Sequence, residues 1–110
     1  MKIQMLFASI AMAVTLSSAG TAASEDGQVT FTCKLNGSND SGFDIIAANS
    51  GHTPRNCKAT CSVTKHDGST QSWEYRNLVR ADESGMWFGG EAGVKGSPLK
   101  DPKITSHSCD

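Results

Sequence analysis

Four cysteines, Cys33, Cys57, Cys61 and Cys109, are the residues of this chain best suited to covalent chemistry. An even number of cysteines in a short exported chain predicts a disulfide framework. Cys57 and Cys61 stand four residues apart in an alternating apolar and polar run, so a strand would separate their Cα atoms by roughly 13 Å. Because a disulfide tolerates about 7 Å between Cα atoms, these two are not expected to pair. Each should reach Cys33 or Cys109 instead, and which pairs with which stays open.

A metal site is the alternative use of Cys57 and Cys61, with His52, His66 or His107 as further ligands. Their Cys-x3-Cys spacing is looser than the two-residue spacing of zinc knuckles, and free thiolates rarely persist after export. A redox site would call for Cys-x-x-Cys, which the chain lacks. The sequence therefore favours disulfides and predicts neither a metal nor a cofactor.

Histidines are also the candidates for general-base catalysis. His66 or His107, brought close to a carboxylate by folding, could activate water in a small hydrolase. However, no motif ties a serine or cysteine nucleophile to either histidine, and no Gly-x-Ser-x-Gly elbow occurs. The glycine-rich stretch 89–96 lacks the Gly-Lys-Ser/Thr of a phosphate loop. The sequence predicts a non-catalytic protein, with a hydrolase or a histidine-based metal-binding protein as alternatives.

Trp87 and Phe88 are the strongest candidates for ligand recognition. Neighbouring side chains of an extended segment point to opposite faces, so both rings cannot enter one core. One ring could then stay accessible beside the following glycines, where it would contact a sugar ring, an apolar peptide or a protein. The alternative is that both rings are covered by the segment 43–48 or by loop folding. The predicted binding surface combines the turn 36–42 with the segment 86–93, chiefly Met86, Trp87, Phe88, Gly89, Gly90 and Glu91.

The elements that must position these residues alternate in the manner of a β-protein. Strands are predicted over 28–35 and 57–64, where apolar residues or cysteines recur at every second position, over 70–76, where Trp73 and Tyr75 share a face, and over 103–109. The segment 43–48 fits either a short helix or a strand. Turns are predicted over 36–42 and 81–85, a mobile surface loop over 89–96, and a further loop between Pro98 and Pro102. This pattern predicts a mainly β fold, a small disulfide-stapled antiparallel sandwich or open barrel.

One hairpin allows a strand register to be predicted. A two-residue Asp-Gly turn would place Trp73 on the polar side of the preceding strand. A three-residue loop over 66–68 instead places Trp73 opposite Cys61 and keeps the apolar side chains together. Because a slip of one residue turns every side chain over, we predict the three-residue loop, with Gly68 in the left-handed conformation of a bulge. Trp73 is then a core residue.

The first 23 residues are organised as a secretion signal. They contain Lys2, an apolar run over 5–14 and small residues up to Ala23. The run is too short to span a bilayer. Cleavage is expected after Ala22 or Ala23, which leaves 24–110 as one small secreted domain. A retained anchor helix is the alternative.

Charge restricts the class of partner. The chain has a formal net charge of −1, and loss of Lys2 makes it one unit more negative. Nucleic acids and anionic membranes attract clustered cations, which are lacking here. We therefore expect a periplasmic or secreted protein that binds neither nucleic acid nor, after signal cleavage, a membrane. Its expected partner is a protein or a cell-envelope component, which includes the possibilities of an enzyme inhibitor and a secreted effector.

Overall fold

The computed structural model describes residues 19–110, which form two antiparallel β-sheets. The strands are β1 (Ala19–Ala23), β2 (Val29–Asn36), β3 (Gly42–Asn49), β4 (Arg55–Thr64), β5 (Thr70–Val79), β6 (Glu83–Glu91) and β7 (Lys100–Cys109). One sheet has the order β1-β2-β3-β6 and the other the order β5-β4-β7. The mainly β fold is confirmed: the described residues form two antiparallel sheets that do not close into a barrel.

The core lies between the sheets because the strands alternate. In β2 and β3 every second side chain points inward and is buried, whereas the intervening ones face outward. Each fully buried Val, Ile or Phe contributes about 1.5–3 kcal/mol to folding. The ring of Phe31 meets that of Phe88 edge to face, with centroids 5.3 Å apart. The buried apolar residues are Val29, Phe31, Cys33, Phe43, Ile45, Ala47, Cys57, Ala59, Cys61, Val63, Val79, Phe88 and Leu99.

Both disulfides join β4 to another strand, as predicted. Cys61 is bonded to Cys33 of β2, with Cα atoms 6.2 Å apart, so this bridge links the two sheets. Cys57 is bonded to Cys109, directly opposite it on β7. Cys57 and Cys61 are therefore not bonded to each other, and all four thiols are consumed. Two disulfides indicate an oxidising environment for the folded protein.

The β4–β5 hairpin has the predicted register. Cys61 lies opposite Trp73. The amide of Lys65 donates to the carbonyl of Ser69 (2.7 Å), which closes a three-residue loop. Gly68 in that loop has φ of +91°, the left-handed conformation that glycine adopts without strain. Trp73 is half-buried at the margin of the core, where its ring lies 5.1 Å from that of Phe43.

The helical alternative for 43–48 is wrong, because this segment lies within strand β3. A helix would place Phe43 and Ile46 on one face, whereas the structure buries Phe43 and Ile45 on one face and leaves Ile46 partly exposed on the other. Pairing of β3 with β2 on one side and β6 on the other decides this outcome. Six isolated residues have too few helical hydrogen bonds to compete with two ladders.

The apolar run 86–88 is part of a longer strand, β6. This strand begins at Glu83, inside the predicted turn 81–85, and ends at Glu91, inside the predicted mobile loop 89–96. Two register shifts against β3 accommodate extra residues in β6. Gly89 and Gly90 are thus parts of a sheet and not of a loop.

Most of the predicted secretion signal, residues 1–18, lies outside the described residues. The remaining part of it, Ala19–Ala23, forms strand β1. β1 pairs antiparallel with β2, from Ala19 opposite Lys34 to Ala23 opposite Thr30.

Removing either disulfide should destabilise the protein by about 3–4 kcal/mol, because each closes a long loop in the unfolded chain. The paired variants Cys33→Ala/Cys61→Ala and Cys57→Ala/Cys109→Ala test this by urea unfolding. Peptide mapping without reduction should recover the same two pairs. A Cys57–Cys61 peptide, or unfolding free energies equal to that of the native chain, would contradict the architecture.

Candidate functional site

The predicted binding residues of β6 do not share one environment. Trp87 is exposed, at 59% of its full accessible area, whereas Phe88 is buried, at 2%. The two rings therefore point to opposite faces, as expected for adjacent residues of a strand. Met86 and Gly90 are half-buried and Gly89 is buried. Of the six residues, Trp87 offers the large accessible surface.

A β-bulge sets the direction of Trp87. Gly89 pairs with Ile45 and Trp87 with Ile46, so Phe88 is the extra residue between them. Because of this insertion, Phe88 and Gly89 both lie on the buried side and Trp87 lies on the outer face of the four-stranded sheet. Bulges of this kind often re-aim a side chain beside a functional site.

Hydrogen bonds hold the Trp87 ring in place. Its Nε1–H donates to Oδ1 of Asp44 on β3, at 3.0 Å. The amide nitrogen of Asn36 donates to Oδ2 of the same carboxylate. Asp44 is thus anchored from one side while it orients the indole from the other. We call Trp87, Asp44 and Asn36 the indole platform.

Gly89 and Tyr75 form a close contact between the sheets behind the platform. A Cβ atom on Gly89 would overlap the Tyr75 ring, so the aromatic ring packs directly on the glycine backbone. The Tyr75 hydroxyl donates to a carboxylate oxygen of Glu91. Burial, together with that carboxylate, raises the pKa of Tyr75 above its usual range. The hydroxyl is therefore a neutral donor at physiological pH.

The turn 36–42, predicted as the second half of the binding surface, lies beside the end of β6. The amide of Val94 donates to the carbonyl of Ser41 at 2.7 Å. Gly42 approaches Glu91 so closely that a Cβ would lie 2.5 Å from its carbonyl oxygen. Turn and segment are thus neighbours, and Asn36 connects them to the indole platform.

A separate groove of about 590 Å³ lies between the β1–β2 turn, the start of β4 and the end of β7. Asp26 accepts hydrogen bonds from the Ser24 hydroxyl (2.7 Å) and the Gln28 amide (3.0 Å), and Arg55 lies 2.8 Å away. The Ser24 hydroxyl first, then the Gln28 amide and Arg55, lower the pKa of Asp26 to about 2. The groove is lined by Ala23, Ser24, Glu25, Asp26, Arg55, His107, Ser108 and Cys109.

The three histidines are dispersed over the fold. His107 lines the groove with its ring 5.9 Å from that of Phe31, and its buried Nδ1 has no hydrogen-bond partner among residues 19–110. His66 is exposed in the β4–β5 loop. His52 Nδ1 lies 2.9 Å from Asp82 Oδ1 at a site where both side chains are mostly exposed. Neither His66 nor His107 therefore forms a His–carboxylate hydrogen bond within the described residues.

Two further observations concern metals and membranes. No group of three or more His, Cys, Asp or Glu side chains that could hold a metal ion occurs in the described part of the chain. Over the same residues, no helix is long and apolar enough to cross a bilayer. The cysteines proposed as alternative metal ligands are engaged in disulfides.

Comparison with known proteins assigns no family to the chain. No model of a known protein family matches it, and neither curated proteins nor solved structures give a significant match. Its function must therefore be argued from the geometry of its own surface.

Trp87 can be identified from the sequence, but the residues that hold its ring in place cannot. The one local sign of a special role for Asp44 is that its carboxylate stands between the apolar residues of β3. Its contact with Trp87 spans 43 residues, so no local pattern could reveal it. The Asp26–Arg55 pair spans 29 residues and was missed for the same reason.

Gly89→Ala should destabilise the protein by about 1–3 kcal/mol, because the new methyl group would overlap the Tyr75 ring. Gly85→Ala is the matched control in the same strand, since its Cβ would meet only the Ile46 methyl group at an ordinary 3.6 Å. Urea unfolding of both variants measures the difference. Equal stability of the two variants would show that the Tyr75 ring does not pack on Gly89.

The carboxyl group of Asp26 should titrate with a pKa of about 2 in the folded protein. Because this value lies below the ordinary 3.8, its contribution to stability is present above about pH 3.8 and is lost as the pH falls toward 2. Ser24→Ala should raise the pKa, as measured by NMR titration of the carboxyl carbon. The control Ser69→Ala should leave it unchanged, and an ordinary Asp26 pKa in the native protein would contradict the hydrogen-bonding scheme.

Proposed function

We propose that this protein is an exported, non-catalytic binding module whose contact surface is centred on the indole platform. The observation that carries the proposal is the Trp87 ring, 59% exposed and held by Asp44 on the outer face of a sheet. Its partner is a protein or a cell-envelope component, met in the periplasm or outside the cell.

The geometry of the indole platform supports a role for Trp87 in binding, as opposed to exposure of the ring without a function. The polar edge of the indole is already hydrogen-bonded to Asp44, so its apolar faces are what a partner would cover. Covering such a ring contributes about 1.5–3 kcal/mol. Because the ring is already oriented, little side-chain entropy is lost on binding. Tryptophans of this kind commonly dominate binding energy at interfaces.

The location outside the reducing cytoplasm is supported by two independent features. The fold contains two disulfides, which link residues 28 and 52 positions apart in the sequence. Such bonds persist in oxidising compartments and are rare in the cytoplasm. The N-terminal sequence has the charged, apolar and small-residue order of a secretion signal. A fold crosslinked by two disulfides suits a protein that meets its partner after export.

A small hydrolase is the second candidate, because His107 and the carboxylates Glu25 and Asp26 line the same groove. His107 could act as a general base there, with a water molecule as nucleophile. Asp26 is already bound by Ser24, Gln28 and Arg55, which leaves Glu25 as the carboxylate to orient the imidazole. The indole platform remains our first choice because its geometry is already assembled.

Trp87→Ala should weaken binding at least tenfold, which corresponds to about 1.4 kcal/mol. Two probes represent the two partner classes: soluble fragments of purified peptidoglycan and a solubilised extract of envelope proteins. Binding should shift the indole N–H resonance of Trp87 in NMR spectra of the labelled native protein. Leu78→Ala is the matched control, because Leu78 is also a large exposed apolar residue (45%) but lies on the other sheet.

Two outcomes would contradict this proposal. The first is binding of a probe that is equally strong in the native protein and in Trp87→Ala. The second is hydrolysis of the peptidoglycan fragments that His107→Gln abolishes and Trp87→Ala leaves intact, which would establish the groove as the functional site.

A further inference from the structure

We propose that strand β1 belongs to the mature domain and that the secretion signal is removed between Ala19 and Gly20. This inference rests on the export part of the proposed function and is independent of the indole platform. A signal peptidase would add one water molecule across the Ala19–Gly20 peptide bond. The products are a carboxylate on Ala19, which leaves with the signal, and an ammonium group on Gly20.

The sequence permits this site as readily as the two sites further along. The peptidase reads small residues at the first and third positions before the cut. Ser17 and Ala19 occupy those positions for cleavage before Gly20. The sequence alone therefore offers several sites, and the fold of the mature domain distinguishes them.

Strand β1 completes the four-stranded sheet. It pairs with the edge of β2 and also contacts β7 of the opposite sheet. Its partners on β2 include Phe31 and Cys33, both fully buried. Cleavage after Ala23 would remove the whole strand, which would leave the backbone groups of β2 unpaired at an open edge. Cleavage before Gly20 retains four of its five residues.

Gly20 occupies a position in the folded domain that has no room for a Cβ atom. A Cβ atom at this position would lie 2.6 Å from the Pro102 carbonyl oxygen and 2.7 Å from the Lys103 Cα atom of β7. Both contacts are with backbone atoms, which cannot move away as the end of a flexible side chain can. Only glycine allows β1 and β7 to approach so closely. Signal peptidase does not require glycine after the cut, so this fit indicates a residue that stays with the folded protein.

Ser24 is poorly suited to be the first residue. It is 7% exposed, and its backbone nitrogen donates to the Val29 carbonyl at 2.7 Å. Both features belong to a chain in which β1 precedes Ser24, and cleavage after Ala23 would remove that strand. The Gly20 nitrogen lies only at the margin of the sheet, where the residue is half-buried.

The experiment is to export the full chain from a bacterial host and to determine the N-terminus of the product by intact mass and terminal sequencing. We expect Gly20 as the first residue. A first residue of Ala23 or Ser24 would overturn the inference but leave export intact. A product that still begins at Met1 would overturn both this inference and the export part of the proposed function.

A pair of signal variants provides the matched control. Ala19→Leu places a large side chain directly before the proposed cut and should abolish the Gly20 product, whereas Ala23→Leu, on the exposed side of β1, should leave processing unchanged. If Ala23→Leu blocks processing and Ala19→Leu does not, the cut lies after Ala23 and the inference is wrong.

Discussion

The structure depends on the covalent connections of one strand, β4. Its inward-facing row contains Cys57, Ala59, Cys61 and Val63, all of them buried. β4 is the central strand of its sheet, and it is bonded sideways to β7 through Cys57 and across the core to β2 through Cys61. A chain of this size buries too little surface for its core alone to provide a wide margin of stability. The two bridges offset that deficit at the central strand of the three-stranded sheet.

A fixed spacing between the sheets has consequences for the side chains between them. At two places the sheets approach each other so closely that one of the two facing residues is a glycine. Tyr75 meets Gly89, and β7 meets Gly20, each at a distance that excludes a Cβ atom. Gly89, which the sequence placed in a mobile loop, is here a position of close packing. The proposed binding surface consequently belongs to a sheet face and not to a loop.

The position of Trp87 on a strand changes the kind of recognition that this surface favours. A tryptophan on a flexible glycine loop would lose conformational freedom whenever a partner covered it. Trp87 instead stands on a bulged strand, with its indole nitrogen held by Asp44, which Asn36 holds in turn. The outer face of one sheet thus has a preformed aromatic site, while the inner face of the same sheet holds the core. One strand, β6, serves both faces by placing Trp87 outside and Phe88 inside.

The sequence by itself determined the features that follow from local spacing. Period-two alternation predicted the β fold, the distance along a strand excluded a Cys57–Cys61 bridge, and the side-chain faces fixed the β4–β5 register. The opposite orientations of Trp87 and Phe88 followed from the same rule. Each of these depends on backbone geometry within a few residues of the chain.

Tertiary structure decided what depends on contacts between distant segments. It chose Cys61 as the partner of Cys33, made 43–48 a strand by placing it between β2 and β6, and brought Asp44 to the indole of Trp87. It also paired Ala19–Ala23 with β2, although these residues follow the apolar run of a secretion signal. Local sequence could not settle these points, because short segments can adopt several conformations of similar free energy. Their neighbours in the folded domain select one of them.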